Sequence, residues 1–332
     1  MSDIVRPKGA WLWVGVRLLL IFGGLVALSS VFYVLGGTRS GAGLAGGFTT
    51  LFFLPYCLGA IVQFAISPGG NAKTSHFGLV AALLMLAVMV VVGVLLREGV
   101  ICIVILGVPW WLSALLGAVT VNALHQRFRE RAMLHSAGLI ILPFAVLLMG
   151  PFAPNPTHYF EVSRSVVIDA APDQIWPHLL ALDGLSDDEG VWTIAQDVLA
   201  IPRPRSAVVV GAGIGAVRQA RWGEQITFEE HVTAWSPGAH LAWRFVFPND
   251  SIARHTDAHI GPDSEFLGIE TGSYTLIPLV DGRTRLILTT RYRASSPANH
   301  YSAVWGEIIL GGIQHNILAV IADRSEAGLV QG

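Results

Sequence analysis

The chain has 332 residues, of which 53% are hydrophobic and only 13% charged, a balance too apolar for an ordinary soluble protein of this length. Charge divides unevenly: residues 1–160 hold 9 Lys/Arg against 3 Asp/Glu, whereas residues 161–332 hold 12 Arg against 20 Asp/Glu, so the two halves suit different environments. The acidic C-terminal half and the presence of only 2 Lys among 21 basic residues disfavour nucleic-acid binding, and the two cysteines, Cys57 and Cys102, both in apolar runs, provide no disulfide framework.

Long runs with few or no charges fill the first half. A bilayer core needs roughly 20 apolar residues of helix, because unpaired peptide groups are too costly in hydrocarbon. About five spans are expected, over 11–36, 46–67, 76–96, 99–122 and 137–155. The first is too long for a signal-peptide core and lacks a clear small-residue cleavage site. Arg6, Lys8 and Arg17 at the first span, and Arg127, Arg129 and Arg131 between the fourth and fifth, are expected on the cytoplasmic side. An odd number of spans then puts the C-terminal domain on the outer face of a multi-pass membrane protein of bacterial cytoplasmic-membrane type. Pro143, Gly150 and Pro151 leave a re-entrant fifth segment as the alternative, which would return that domain to the cytoplasm. The spans hold no acidic residue, and only Gln63, His76, Asn122 and His125 lie near their ends, which argues against an ion-coupled transporter. Pro55 and the run Pro109–Trp111 read as a kink and an interfacial aromatic anchor.

"PFAPNPTHYFE" reads as a Pro-rich exit from the membrane, too short for a free tether, so a domain over 157–332 should lie close to the bilayer. From Ser163, Val166 and Ile168 alternate with polar neighbours and predict a strand. Ala171-Pro172-Asp173 then suits a helix start, with Pro in the first turn and Asp at the positive dipole end. Ile175, Trp176, Leu179, Leu180 and Leu182 continue at helical spacing. After the acidic "DGLSDDEGVW" come the β-type runs "SAVVVGAG", "GAVRQARW", "EQITFEEHVTAW", "AHLAWRFVF", "GSYTLIPLV" and "TRLILTTRY". They are separated by turn chemistry at Gly223, Ser236-Pro237-Gly238 and Asp281-Gly282, which predicts an antiparallel meander. From Asn299 to Glu326, with no Pro, Tyr301, Val304, Trp305, Ile308, Ile309, Gly312, Ile313, Asn316, Ile317 and Val320 share one broad face of a long helix.

The order is strand, helix, about six strands, long helix. One helix laid across a sheet of that size cannot fill its concave face everywhere, so an internal cavity is expected. In "SVVIDAAPDQIWPHLLALDGL", "FEEHVTAWSPGAHLAWRF", "GSYTLIPLVDGRTRLILTTRY" and the terminal helix, residues 160–327 resemble the START-like superfamily, also called SRPBCC. That superfamily includes the polyketide cyclase/dehydrase and lipid-transport proteins and the birch pollen allergen. The fold class implied is a multi-span α-helical membrane domain over 1–156 followed by an α+β helix-grip domain.

The resemblance implies a cavity for apolar molecules. Strand alternation nominates Phe228, Glu230 and Val232, then Leu241, Trp243, Phe245 and Phe247, then Tyr274 and Leu276, and last Leu286, Leu288, Thr290 and Tyr292; Trp305 and Ile309 would close them from the helix. A pocket wall and a packed core look alike at this level, and some of these residues will only pack. Glu230, facing inward with Phe228 and Val232, needs a partner or a raised pKa, and Arg218 on the preceding strand is the candidate; a bulge that turns Glu230 outward is the alternative. His255, Asp257 and His259 share one strand face and could bind Zn²⁺. Gly261, Pro262 and Asp263 read as loop with no clear fourth ligand, so a lid over 249–266 is preferred to a metal site. "GAGIG" leads into a strand-like run and reads as a turn, not a dinucleotide loop, and no nucleophile-elbow pattern occurs.

The expected function is membrane-anchored binding or transfer of a hydrophobic small molecule (a lipid, isoprenoid or polyketide-like compound) without a cofactor. The alternatives are a cyclase- or hydratase-like enzyme using Glu230, or His255 or His259, as general acid/base, and a ligand sensor coupled to a membrane protein partner. The partners expected are the hydrophobic ligand and membrane lipids.

Overall fold

A computed structural model of the chain describes residues 52, 54–66, 79, 82–83, 86, 100–127, 156–186, 188–249, 251–252, 262–264, 267–295 and 299–330. The chain divides into two compact units, Met1–Asn155 and Pro156–Gly332.

The first unit contains α1 (Leu54–Ile66) and α2 (Val100–Arg127). Their backbones meet at small residues: a Cβ on Gly59 would lie 1.9 Å from the Ala114 carbonyl oxygen, and one on Gly117 would lie 1.9 Å from that of Tyr56. Only glycine permits this approach, because any side chain at either position would collide with the facing backbone. Both helices fall in expected spans. However, α2 continues past residue 122 through Arg127, into the stretch assigned to a basic loop, because nothing from Asn122 to Arg127 breaks a helix. Pro109 lies inside α2 without ending it. Val108, Leu112, Leu116 and Val119 form an exposed apolar stripe on α2, and Leu79, Leu83 and Leu86 are likewise exposed. The first and fifth expected spans lie outside the described residues, as does most of the third. Two helices among the described residues contain segments long and apolar enough to cross a membrane, Gly107–Leu124 and Asn299–Ala327; the second is the terminal helix of the other unit and packs on its sheet.

The second unit is an eight-stranded antiparallel sheet with a long helix laid against it. Its elements are β1 (Thr157–Ile168), α3 (Pro172–Leu180), β2 (Ala181–Leu182), a π-helical turn (Ile194–Val198), β3 (Pro204–Val210), β4 (Val217–Trp222), β5 (Ile226–Ser236), β6 (His240–Val246), β7 (Leu267–Pro278), β8 (Thr284–Ser295) and α4 (Asn299–Val330). The strand order is β1-β8-β7-β6-β5-β4-β3-β2.

Strand alternation decides the buried face. In β5, Ile226, Phe228, Glu230 and Val232 are buried and their neighbours are not. The same period in β8 buries Leu286, Leu288, Thr290 and Tyr292. The main core gathers Leu241, Trp243, Tyr274, Leu276, Leu286 and Leu288 from the sheet with Ile175 and Leu179 from α3 and Leu318 and Ile321 from α4.

Three boundaries differ from expectation. β1 begins at Thr157, not Ser163, so part of the Pro-rich exit is strand: it pairs residue for residue with β8 as far as Ser295, and Phe160 stacks on Tyr292 with ring centres 5.5 Å apart. α3 ends at Leu180, and Leu182 is buried from a two-residue strand paired to Ala207. β7 starts at Leu267, five residues before the expected run, with a register shift between Ile269 and Thr271. The helix α4 begins at Asn299 as expected, where Asn299 Nδ2 donates to the Pro156 carbonyl at 2.6 Å. Val304, assigned to its inner face, is exposed, whereas the unassigned Gln314, Leu318 and Ile321 are buried.

A buried asparagine ties the loop before β3 to α4. Asn316 Oδ1 accepts from the Val191 N–H at 2.8 Å and from Arg203 Nη1 at 3.3 Å, and Arg203 also donates to Asp197 at 2.9 Å. Asn316→Ala strands the Val191 donor, so it should cost about 1–3 kcal/mol, seen as a lowered Tm by a few degrees in thermal unfolding.

Candidate functional site

On the concave face, β4 and β5 place Arg218 directly opposite Glu230, and β6 adds Phe245 beside Glu230 and Trp243 beside Val232. β7 then adds Gly272 opposite Trp243 and Tyr274 opposite Leu241. The inward orientation of Glu230 follows from the unbroken alternation of β5 up to Val232; the register shift comes after it, between Val232 and Ala234.

Arg218 and Glu230 are 4% and 5% exposed and their side chains form a direct ion pair through Arg218 Nη1 and Glu230 Oε2. The guanidinium carbon stands 5.6 Å from the Trp243 ring centre and 5.7 Å from that of Tyr274, placing the cation between two π faces. Burial works against the charge on Arg218, but Glu230 and Tyr274 outweigh it and hold the guanidinium above its ordinary pKa. On Glu230 burial is the larger influence and raises the carboxyl, with Arg218 pulling it back. A guanidinium does not give up its proton in a protein, and direct contact with it keeps the carboxyl ionised. Tyr274 is also raised, by burial first.

Aromatic rings continue from this pair in both directions. Trp243 lies 5.1 Å from Tyr274 and 6.1 Å from Phe245, Phe245 lies 6.0 Å from Phe228, and Phe228 lies 5.6 Å from Trp222 (ring centres). Trp243 covers Gly272 closely: a Cβ there would meet the indole at 2.5 Å. Phe228, Trp243, Tyr274, Leu276 and Leu288 are buried, and Phe245 is half-buried.

Tyr292 sits farther along β8 and is separate from the Arg218 cluster. Its hydroxyl reaches Gly306 of α4, where a Cβ would be 2.0 Å away, and burial pushes it up to about 12. Trp305 and Ile309 are half-buried on the same helix, and Trp305 packs edge-on to Tyr301 at 6.4 Å. Over its contacts α4 meets β1, β8, α3 and the π-helical turn. Gln314 Nε2 joins it to the sheet, donating to the Val162 carbonyl at 3.0 Å and to Thr290 Oγ1 at 2.9 Å.

Sequence reasoning missed Gly272, Gln314 and Arg164. Arg164 shares the phase of Val162 and Val166 in β1 and pairs with Glu307 of α4 at 2.7 Å, so alternation carried the signal. Gln314 is a polar residue four positions before the buried Leu318, on the helix's inner side.

His255, Asp257 and His259 lie outside the described residues, as does most of the 249–266 segment. Of that segment, Asn249, Ser251 and Ile252 are described after β6, with Ser251 Oγ donating to the Thr227 carbonyl at 3.0 Å, and Pro262 to Ser264 form a turn bridged between Asp263 and Gly268. Among the described residues no cluster of His, Cys, Asp or Glu has metal-binding geometry. "GAGIG" forms the β3–β4 hairpin loop, with Gly211, Gly213 and Gly215 at positive φ, and enters a strand. An open depression of about 560 Å³ at this loop is lined by Val210, Ile214, Gln219 and Glu229. Gln219 and Glu229 alternate with Arg218 and Glu230, so it lies on the opposite sheet face.

Among solved structures, norcoclaurine synthase from Thalictrum flavum is similar at 13% identity over 53% of this chain and 89% of that one, with a TM-score of 0.33. An aromatase/cyclase, Zhui, from a Streptomyces species is similar at 15% identity over 52% of this chain and 96% of that one, with a TM-score of 0.32. Comparison with curated proteins gives no match. The family described as polyketide cyclase / dehydrase and lipid transport matches residues 159–326, from the third residue of β1 almost to the end of α4, and with half its length so matched the chain belongs to that family.

Proposed function

We propose that the Pro156–Gly332 unit holds a hydrophobic small molecule, such as a lipid, isoprenoid or polyketide-like compound, against Phe228, Trp243, Phe245, Tyr274, Leu276 and Leu288, with Tyr292, Trp305 and Ile309 at the α4 side. The observation that carries this is the unbroken run of rings from Trp222 to Tyr274 along one sheet face, with a neutralised ion pair set into it. Phe228, Trp243 and Tyr274 are buried, so a molecule held among them is itself shielded from water, at a gain of about 25 cal/mol per Å² of its own apolar area. The family description, which joins cyclases with lipid transport, supports the same substrate class.

Holding or transfer is favoured over catalysis by Glu230. A general acid needs a transferable proton and a general base a free lone pair aimed at substrate. The Glu230 carboxylate is engaged by Arg218 and stays ionised. It therefore serves to keep the guanidinium in place.

The N-terminal unit is proposed to anchor the protein in a membrane. The exposed apolar stripe of α2 and the glycine-mediated approach of α1 to α2 support this, since both are costly or unnecessary in water. An odd number of spans would put Pro156–Gly332 outside the cytoplasm. Activity of a C-terminal alkaline phosphatase fusion tests that side; a fluorescent GFP fusion with an inactive phosphatase fusion would reverse it.

The test of the binding function uses the full-length chain purified from native membranes, analysed by native mass spectrometry and solvent extraction. A stoichiometric apolar adduct is expected, and Leu288→Glu, which puts a charge amid the face, should lose it. An adduct retained undiminished by Leu288→Glu would place the ligand elsewhere.

A further inference from the structure

Two donors in the ring-lined site have no hydrogen-bond partner among the described residues: Arg218 Nε and Trp243 Nε1. Their side chains are 4% and 3% exposed, so water does not meet the need from outside. An unmet buried donor costs about as much as a lost hydrogen bond, and native proteins leave few of them. The two belong to groups in contact, since the guanidinium carbon is 5.6 Å from the indole centre.

Both atoms are N–H donors and neither can accept, so what satisfies them is an acceptor atom. The charge of Arg218 is already matched by Glu230. An anionic acceptor would leave a net negative charge in a desolvated site, which is costly, whereas a neutral oxygen leaves the pair balanced. Gly272, opposite Trp243 on β7, brings no side chain that could accept from the indole N–H.

We propose that the molecule bound here is an apolar compound carrying a neutral carbonyl oxygen, which accepts from Arg218 Nε and Trp243 Nε1. This rests on the binding function proposed above and narrows its ligand class: a pure hydrocarbon leaves both donors unmet, and a carboxylate or phosphate upsets the charge balance.

The experiment compares three probes of one ring system, 2-acetylnaphthalene, 2-isopropylnaphthalene and 2-naphthoate. Each is equilibrated with the full-length chain in lipid nanodiscs, and partition into empty nanodiscs is measured alongside. Relative to that partition, the ketone should be retained about tenfold better than the hydrocarbon of similar shape, with naphthoate weakest. Trp243→Phe, which keeps a ring and removes one donor, should narrow the ketone-to-hydrocarbon ratio severalfold. Equal retention of ketone and hydrocarbon, or strongest retention of naphthoate, overturns the carbonyl assignment while leaving the hydrophobic site standing. Retention of none of the three overturns the hydrophobic site itself.

Discussion

Glu230→Leu should destabilise the Pro156–Gly332 unit by about 3–5 kcal/mol, the usual cost of leaving one member of a buried ion pair alone. The mutation removes the only charge in contact with Arg218 among the described ion pairs, and the guanidinium has no route to water from 4% exposure. For a unit of this size that loss corresponds to a drop in Tm of about 10 °C. Trp243 and Tyr274 would still face the cation, but a π face recovers only part of a lost carboxylate. The double variant Arg218→Met/Glu230→Leu should recover most of the loss, because replacing both charges with apolar groups of similar volume removes the desolvation cost together with the attraction. Thermal unfolding of the two single variants and the double variant closes the cycle. A double variant no more stable than Glu230→Leu would mean that the pair does not govern this part of the fold. In the proposed binding site the double variant should also show a narrowed preference for an oxygen-bearing probe, since Arg218 Nε is gone and only Trp243 Nε1 remains.

Much of this site could be read from period alone. Phe228, Glu230 and Val232 face inward because β5 keeps strict alternation, and Leu286, Leu288 and Tyr292 do so in β8 for the same reason. The partner of Glu230 was harder to fix. β4 is only six residues long and follows a glycine loop, so its phase is set by register against β5, which is a property of two strands and not of either sequence. Gly272 was invisible for a related reason: its significance is that Trp243 lies over it across the β6–β7 pairing, and a glycine inside a strand otherwise reads as a weakness. The boundaries at Thr157 and Leu267 were misjudged because prolines and polar residues nearby looked like loop, whereas pairing with β8 extends both strands. In α4 the broad apolar face left its rotation open. Contact with β1 through Gln314 fixes it, burying Leu318 and Ile321 and leaving Val304 in solvent. The same apolarity makes α4 satisfy the length and composition of a membrane span although it packs on a sheet, and composition alone does not separate it from α2.

Gly272→Val should disable the site by displacing Trp243. A Cβ at residue 272 falls 2.5 Å from the indole ring and 2.7 Å from its Nε1, well inside contact distance, and the obstructing atoms belong to a large ring that is 3% exposed and wedged between Tyr274 and Phe245. Valine suits a strand and fills no cavity here, so its effect is overpacking, expected at about 3 kcal/mol, the upper end of the usual range. Moving the indole also pulls one π face from Arg218 and one donor from the proposed ligand. Loss of the apolar adduct should therefore exceed what the fall in stability explains at temperatures where the variant remains folded. A compensating change separates the two effects. Gly272→Ala/Trp243→Leu trades volume across the same pair and should recover stability relative to Gly272→Ala, as contacting residues do in a coupled cycle. It should not recover ligand retention, because leucine offers neither a ring face nor an N–H. Full retention in that double variant would show that the face needs only apolar bulk at residue 243, and the indole would lose its assigned role.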